Sequence, residues 1–214
     1  MPLVIAGGYP VGVPRVTDAY RRNRRDEIAL AAVRCLQHRG LADTSIADIV
    51  AESGLSTGAI YANFKNKAEL ARYVANYLLT RQLDEFEARL TDGRLYTPGD
   101  VLNLFLTVLV EDDFPRDVLV QFWGAATTDP ELRIIVDGAA RTLAESLTVV
   151  IHPWAATHAS RVRDRSALAQ RVARVLVVLL QGHMVNSALM GPLASADFVD
   201  TLVLAICDTG TDPQ

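Results

Sequence analysis

The spacing of apolar residues predicts helices along almost the whole chain. In the longer segments, apolar side chains recur three and four positions apart, which places them on one face of an α-helix. No segment alternates with a period of two, as a half-buried strand would, and no internal repeat is found. Ser, Thr, Asp, Gly and Pro between these segments mark helix ends. The pattern predicts an all-α fold of about nine helices.

One segment predicts two short helices joined by a tight turn. Ser45 is placed to cap a helix over Ile46–Ser53, and Gly54 to end it in the left-handed conformation. Ser56 is placed to cap a second helix over 57–64, whose apolar residues turn inward against the first. This is the pattern of a helix-turn-helix, whose second helix enters the major groove of DNA. The alternative is an ordinary corner in a helical core.

The remaining turn signals divide the chain into long helices and two domains. Predicted helices cover 17–39, 67–90, 99–112, 115–127, 130–152, 166–190 and 195–207, with 153–164 as a loop or a short helical piece. We expect a flexible arm over 1–16, a three-helix DNA-binding domain over 17–66, a ligand-binding and dimerisation domain over 67–208, and a tail over 209–214. The helix beginning at Lys67 is long enough to join the two domains.

The helix over 166–190 is apolar nearly all round, and the last helix is strongly apolar too. Such helices must be covered on more than one side. We therefore expect a two-fold homodimer in which the two helices and their copies form a four-helix bundle. The predicted interface residues are Leu176, Leu180, Ser187, Val199, Leu202, Val203 and Ile206. The alternative is that the core of this domain buries both helices.

Charge and composition support the position of the DNA-binding segment and argue against some functions. The net charge is −4, but residues 1–70 hold nine Lys/Arg against seven Asp/Glu, so the small positive excess lies beside the helix-turn-helix. Two distant cysteines do not make a disulfide framework, which favours a reducing cytoplasm. No signal peptide, membrane span, metal-ligand spacing or catalytic motif is recognised. We expect no enzyme activity, no metal and no cofactor.

Residues 40–70, GLADTSIADIVAESGLSTGAIYANFKNKAEL, resemble the TetR family of bacterial transcriptional regulators. The resemblance rests on Thr44-Ser45, Asp48 to Ala51, Gly54 to Ser56, Gly58 to Tyr61, and Phe64 followed by Lys67. Beyond about residue 75 it is architectural, although FWGAATTDPELR is similar to one ligand-domain type in the family. The resemblance implies a homodimer on double-stranded operator DNA, most often a repressor that a small molecule releases.

The resemblance also implies DNA contacts at matching positions. Tyr61, Lys67 and Ser45 align with residues that contact the phosphate backbone. Thr57 and Asn63 are placed to reach base edges, and Arg25 belongs to a basic cluster that would add phosphate contacts. The helix face that turns outward is small, because it carries Gly58, Ala59 and Ala62. We expect specificity to depend on few direct contacts, on methyl groups and on DNA shape.

A small hydrophobic or aromatic effector is the expected ligand of the C-terminal domain. The candidate ligand-binding residues are Phe86, Phe105, Phe122, Trp123, Trp154, His183, Met184 and Asn186. Each has a plainer interpretation as a core residue, and the two polar ones need partners if they are buried. The alternative function is a helical ligand-binding or interaction protein whose helix-turn-helix does not read DNA.

Overall fold

A computed structural model of the chain describes residues 18–90, 94–111, 114–158 and 164–191. Within these ranges the regular structure is entirely α-helical, which confirms the predicted all-α fold. The eight helices are α1 (Asp18–Asp43), α2 (Ile46–Ser53), α3 (Thr57–Asn63), α4 (Lys67–Arg89), α5 (Pro98–Glu111), α6 (Arg116–Ala125), α7 (Pro130–His158) and α8 (Arg165–Met190). The predicted arm, the tail and the ninth helix over 195–207 lie outside the described residues.

The first helix is interrupted where the sequence predicts its end. Gly40 has φ 80° and ψ 169°, a backbone conformation that a side chain would strain, and one helical turn follows it to Asp43. The hydroxyl of Thr44 donates to the Gly40 carbonyl at 2.7 Å, which satisfies part of the broken helix end. The break turns the chain toward α2, so it sets the position of the helix-turn-helix on α1.

Two hydrophobic cores share α4. The first core packs α1, α2 and α3 against the beginning of α4, and it takes in Val118 and Phe122 of α6 and Leu132 of α7. The second core lies among α4, α5, α6, α7 and α8 around Phe86 and Phe105, whose rings meet edge to face at 5.4 Å. The first core therefore extends beyond residue 66, the predicted boundary of the DNA-binding domain.

Helix α7 continues where the sequence predicts a break. Pro153 was expected to end it, yet the helix runs through this proline to His158. A proline removes one helical hydrogen bond, here the one that would reach the carbonyl of Val149. Both Pro153 and Val149 are exposed, so water can satisfy that carbonyl and the helix can continue. Of the two alternatives expected for 153–164, a loop or a short helical piece, residues 153–158 are helical and continue α7.

Helix α8 has one face in the second core and an exposed apolar face. By length and composition it alone, among the described helices, is apolar enough to cross a membrane, although 39% of its most apolar window is buried within the chain. A core helix of a soluble protein passes the same test. Asp164 caps its beginning by accepting from the backbone N–H of Ala167 at 3.0 Å, which starts the helix one residue before the predicted Ser166.

Candidate functional site

The turn between α2 and α3 is held by local hydrogen bonds. Ser45 and Asp48 form a capping box, in which the Ser45 hydroxyl accepts from the Asp48 N–H and the Asp48 carboxylate accepts from the Ser45 N–H. Gly54 ends α2 with φ 67° and donates to the Val50 carbonyl at 3.1 Å. Ser56 caps α3 through the N–H of Ala59. Each predicted cap and turn residue of the helix-turn-helix is therefore confirmed.

The outer face of α3 is small, as its sequence predicts. Thr57, Gly58 and Ala62 are exposed and Ala59 is half-buried, while Ile60 is fully buried. Tyr61 is 51% exposed, so its ring and hydroxyl stand out from this face. A helix face with such short side chains lets the backbone approach a DNA groove closely, and Thr57 and Tyr61 are its main polar groups.

Two of the predicted DNA contacts already have partners within the chain. The Asn63 side-chain nitrogen donates to the Ala59 carbonyl at 2.9 Å, along its own helix. The Ser45 hydroxyl donates to Asp48 at 2.6 Å. A bidentate contact from Asn63 to adenine, or a donated bond from Ser45 to a phosphate, therefore requires an internal bond to be exchanged.

Lys67 lies at the beginning of α4, within the first turn of the helix. Its Nζ donates to the Ala42 carbonyl at 3.1 Å and keeps two further N–H groups. Asn66 caps the helix through the N–H of Glu69 at 2.8 Å. An anion here would meet a lysine and the positive end of the α4 dipole, which is the chemistry of a phosphate contact.

Arg25, a predicted phosphate contact, is already engaged within the chain, so a phosphate would compete with its internal partners. Its guanidinium lies between the rings of Phe64 and Tyr73, 4.5 and 4.4 Å from their centroids, and pairs with Glu69 at 3.2 Å. These contacts fasten α1 to α4 and to the end of α3. The Tyr73 hydroxyl donates to the Asp26 carboxylate at 2.6 Å. Burial and this hydrogen bond raise the pKa of Tyr73 to about 12.

A second candidate site is an apolar cleft in the C-terminal half. It has a volume of about 50 Å³ and lies among α4, α5, α6, α7 and α8. Phe86, Phe105, Trp123 and Met184, four of the predicted ligand-binding residues, line it. The other lining residues are Leu79, Gln82, Leu83, Leu119, Val136, Ala139, Ala140, Leu143, Leu180 and Gln181.

The other four predicted ligand residues do not line this cleft. Phe122 is fully buried in the first core, and Trp154 packs against the second. His183 is buried and shares a hydrogen bond of 3.1 Å with Ser187, and Asn186 lies on the same turn, half-buried. Burial lowers the pKa of His183, because it disfavours the charged imidazole. At neutral pH this histidine is a neutral core residue.

Two glutamines that the prediction left out connect the cleft with the DNA-binding half. Gln82 lines the cleft and occupies the apolar stripe of α4, one turn after Leu78 and one turn before Phe86. A polar residue within an apolar helix stripe could have identified Gln82 as a candidate from the sequence alone. Gln121 of α6 accepts from the backbone N–H of Leu41 at 2.7 Å. The sequence carries no signal for that contact, because its partner is a backbone group 80 positions away.

The predicted dimer residues on α8 face the interior of the chain. Leu176, Leu180 and Ser187 are buried among the chain's own helices, so their side chains leave no surface for a partner. Val199, Leu202, Val203 and Ile206 lie outside the described residues. The exposed large apolar positions of α8 are Val175, Val178, Leu189 and Met190.

A capped helix-turn-helix, a small outer face on its second helix and a helical body packed against it together define a DNA-binding protein of the helix-turn-helix class. The sequence profile of the bacterial regulatory proteins of the tetR family matches residues 28–74. The regulator CymR of Pseudomonas putida is 30% identical over 158 residues, which cover 71% of this chain and 73% of CymR. The chain belongs to the TetR family of transcriptional regulators, which are DNA-binding proteins and not enzymes.

Other relatives match a smaller part of the chain or its fold alone. The regulator YvdT of Bacillus subtilis is 36% identical over 109 residues, which cover 49% of this chain and 53% of YvdT, so this match spans about half of each protein. A TetR transcription regulator from Haloarcula marismortui superposes with a TM-score of 0.70 at 20% identity, over 88% of this chain and 98% of its own. At that identity the likeness establishes the fold.

Proposed function

We propose that this chain is a cytoplasmic repressor that binds operator DNA as a homodimer and is released by a small hydrophobic or aromatic effector. One observation carries this proposal: α6 joins the two candidate sites. Leu119 and Trp123 of this helix line the cleft, and Gln121 accepts from the N–H of Leu41 directly after the break at Gly40. A ligand that displaces α6 changes the support of the helix-turn-helix.

DNA binding depends in this proposal on α3 and the start of α4. The exposed groups of α3 would enter the major groove, with Thr57 toward base edges and Tyr61 toward the backbone. Lys67 and the α4 N-terminus would hold a phosphate. Because Asn63 donates to its own helix, we assign it a smaller part in reading bases than the sequence alone indicated.

The effector site is the apolar cleft. Its described lining consists of aliphatic and aromatic side chains and two glutamines, so an apolar molecule would bury most of its surface there. Its volume of about 50 Å³ is small, and an effector of ordinary size would have to move the surrounding helices apart. The effector would therefore bind the conformation with separated helices more tightly than the closed one. That difference in affinity is what lets a ligand shift the equilibrium between the two conformations.

The homodimer would use the exposed face of α8. Val175 and Val178 are 53% and 65% exposed, and Leu189 and Met190 near the end of the helix are 69% and 80% exposed. Apolar side chains grouped on one helix are typical of an interface. Sedimentation of the full chain tests this: Val178→Asp should weaken dimerisation, Val149→Asp on α7 is the control, and a monomer at micromolar concentration would contradict the proposal.

A salt-dependent gel shift tests the function as a whole. The full chain should bind the DNA that flanks its own gene, with an affinity that falls steeply as salt rises. Lys67→Gln should reduce the slope of log affinity against log salt by about one, whereas Arg171→Gln on α8 should not. A slope near zero for the unchanged chain would favour a bundle that does not bind DNA.

Base reading has a separate test. Thr57→Ala should relax operator preference more than Asn63→Ala does, because the Asn63 amide already has a partner in its helix. Selection of bound sites from a random DNA pool measures both preferences. If the unchanged chain, Thr57→Ala and Asn63→Ala all select the same sites, specificity would depend on DNA shape and not on these two side chains.

A further inference from the structure

The middle of α4 carries a buried polar side chain without partners. Gln82 is 7% exposed, and neither its side-chain nitrogen nor its oxygen has a hydrogen-bond partner among the described residues. An amide buried in this way is destabilising, because it has lost its hydrogen bonds to water and gained none. Such a group in a folded protein therefore calls for an explanation, and a ligand that pairs with the amide is one.

Gln82 lies where the chain's two cores meet, and it faces the cleft. Leu78, one turn earlier on α4, belongs to the first core, and Phe86, one turn later, belongs to the second. The residues around Gln82 in the cleft are chiefly aliphatic and aromatic, with Gln181 as the other amide. No side chain in the described lining carries a charge.

We propose that Gln82 selects the effector, and that the effector is a compact, uncharged, apolar molecule bearing a carboxamide-like group. Such a group has a donor and an acceptor side by side, which pair with the oxygen and the nitrogen of the Gln82 amide. This inference rests on the proposed function, because it takes the cleft to be the effector site. The apolar part of the molecule contacts the rings of Phe86, Phe105 and Trp123.

The lining discriminates against two other classes of ligand. A carboxylate or an ammonium ion would lose its hydration in a cleft whose described lining offers no opposite charge. A hydrocarbon would fit the apolar walls but would leave both polar atoms of Gln82 buried and unpaired. A site built around a hydrogen-bonding group rejects an analogue that lacks it more strongly than it rejects a change of one methylene.

The experiment compares three probes of similar size by titration calorimetry on the full chain: benzamide, benzoate and toluene. The variants are Gln82→Met, which keeps length and flexibility while removing both polar atoms, and Gln37→Met, a control at an exposed glutamine of α1. The unchanged chain and the control should prefer benzamide over benzoate and toluene by tenfold or more. Gln82→Met should shift the ratio of benzamide to toluene affinity at least tenfold toward toluene.

Thermal unfolding supplies an independent readout. Gln82→Met should raise the melting temperature of the free chain by roughly 2–4 °C, because it removes an unpaired buried amide. If this variant does not fold, Gln82→Leu replaces it in both measurements. An affinity ratio that is the same with and without Gln82, or no benzamide binding at millimolar concentration, would overturn the inference.

The same samples separate this inference from the proposed function. Calorimetry reports binding in the cleft whether or not the chain binds DNA. Selective benzamide binding that requires Gln82, found in a chain that does not bind DNA, would support the inference and contradict the proposed repressor. Operator binding by a chain whose cleft does not prefer benzamide would support the proposed repressor and contradict the inference about Gln82.

Discussion

At the residue scale, single side chains hold the DNA-binding half together by contacts that span the sequence. The guanidinium of Arg25 lies against the rings of Phe64 and Tyr73 and pairs with Glu69. These partners lie about 40 to 50 positions further along the chain. Local periodicity identifies Arg25 as basic and helical, but it does not show which residues surround it. The structural contacts of Arg25 therefore follow from non-local packing, while its phosphate contact stays a prediction.

Substitution of Arg25 by Gln tests its structural role. Arg25→Gln should lower the free energy of unfolding by about 1 kcal/mol through loss of the cation–π contacts and the ion pair. For a chain of this size the melting temperature should then fall by roughly 2–4 °C. Arg21→Gln, at an exposed position of the same helix, is the matched control and should leave the melting temperature unchanged. Equal melting temperatures in both variants would contradict the structural role of Arg25.

Gly54 provides a second test at this scale. Its φ of 67° is left-handed, and an added Cβ would meet nothing within 4 Å, so the backbone conformation alone opposes a side chain. Gly54→Ala should destabilise the chain by about 1 kcal/mol. Gly124→Ala, at an unobstructed helical position of α6, should instead be neutral or slightly stabilising. Chemical denaturation measures both, and a neutral Gly54→Ala would show that the α2–α3 turn relaxes.

At the element scale, helix beginnings and ends are the features that the sequence predicts best. Ser45, Gly54, Ser56 and Asn66 each act where their residue type indicates, because capping depends on neighbours within four positions. Pro153 is the exception, because the helix continues where the freed carbonyl faces solvent. Exposure is a property of the folded chain, so a local rule did not predict this outcome. The four predicted ligand residues that line the cleft are aromatic or flexible apolar side chains between neighbouring helices, and their contact with a ligand stays a prediction.

Asp129 links a cap to an acid-sensitive contact. It accepts from the N–H groups of Leu132 and Glu131 at the beginning of α7, and its carboxylate pairs with Arg72 of α4 at 3.2 Å. The bond from the Leu132 N–H, with the Arg72 guanidinium, holds the pKa of Asp129 below its ordinary value of 3.8. Since the folded state prefers the ionised form, this stabilisation is present above pH 3.8 and is lost as pH falls through the lower pKa of the folded chain.

Asp129→Asn should therefore flatten the acid side of the stability curve. The variant should be less stable than the unchanged chain at neutral pH, and the difference should shrink as pH falls below 3.8. Asp137→Asn, an exposed carboxylate on the same helix, is the control and should leave the difference constant. Melting temperatures recorded from pH 7 to pH 2.5 measure both. Parallel curves for Asp129→Asn and the unchanged chain would contradict the assignment.

At the scale of the whole molecule, α4 and α6 bridge the two cores, and Gln121 is the polar contact between α6 and the break in α1. Gln121→Leu removes the acceptor of the Leu41 N–H. Hydrogen exchange of that amide should accelerate by roughly tenfold, while amides in the middle of α8 keep their protection. Gln121→Glu, which retains an oxygen acceptor, should restore most of the protection. Unchanged exchange in the Leu variant would mean that this bond does not support the helix-turn-helix.

The length of α4 has a mechanical consequence. With 23 residues the helix is roughly 34 Å long, and it begins beside the proposed reading helix and passes Gln82 before it ends. From Gln82 to Lys67 the helix spans roughly 22 Å, so a tilt of about 5° at the cleft would move the DNA-binding end of α4 by about 2 Å. In the proposed dimer, each protomer's α4 would move its own α3 relative to one operator, whose half-sites are one helical turn apart. The two displacements would add in the distance between the α3 helices. In this proposal, a molecule no larger than benzamide would move the helices around the cleft apart. The resulting change in the spacing of the two α3 helices would prevent both from binding the operator at once.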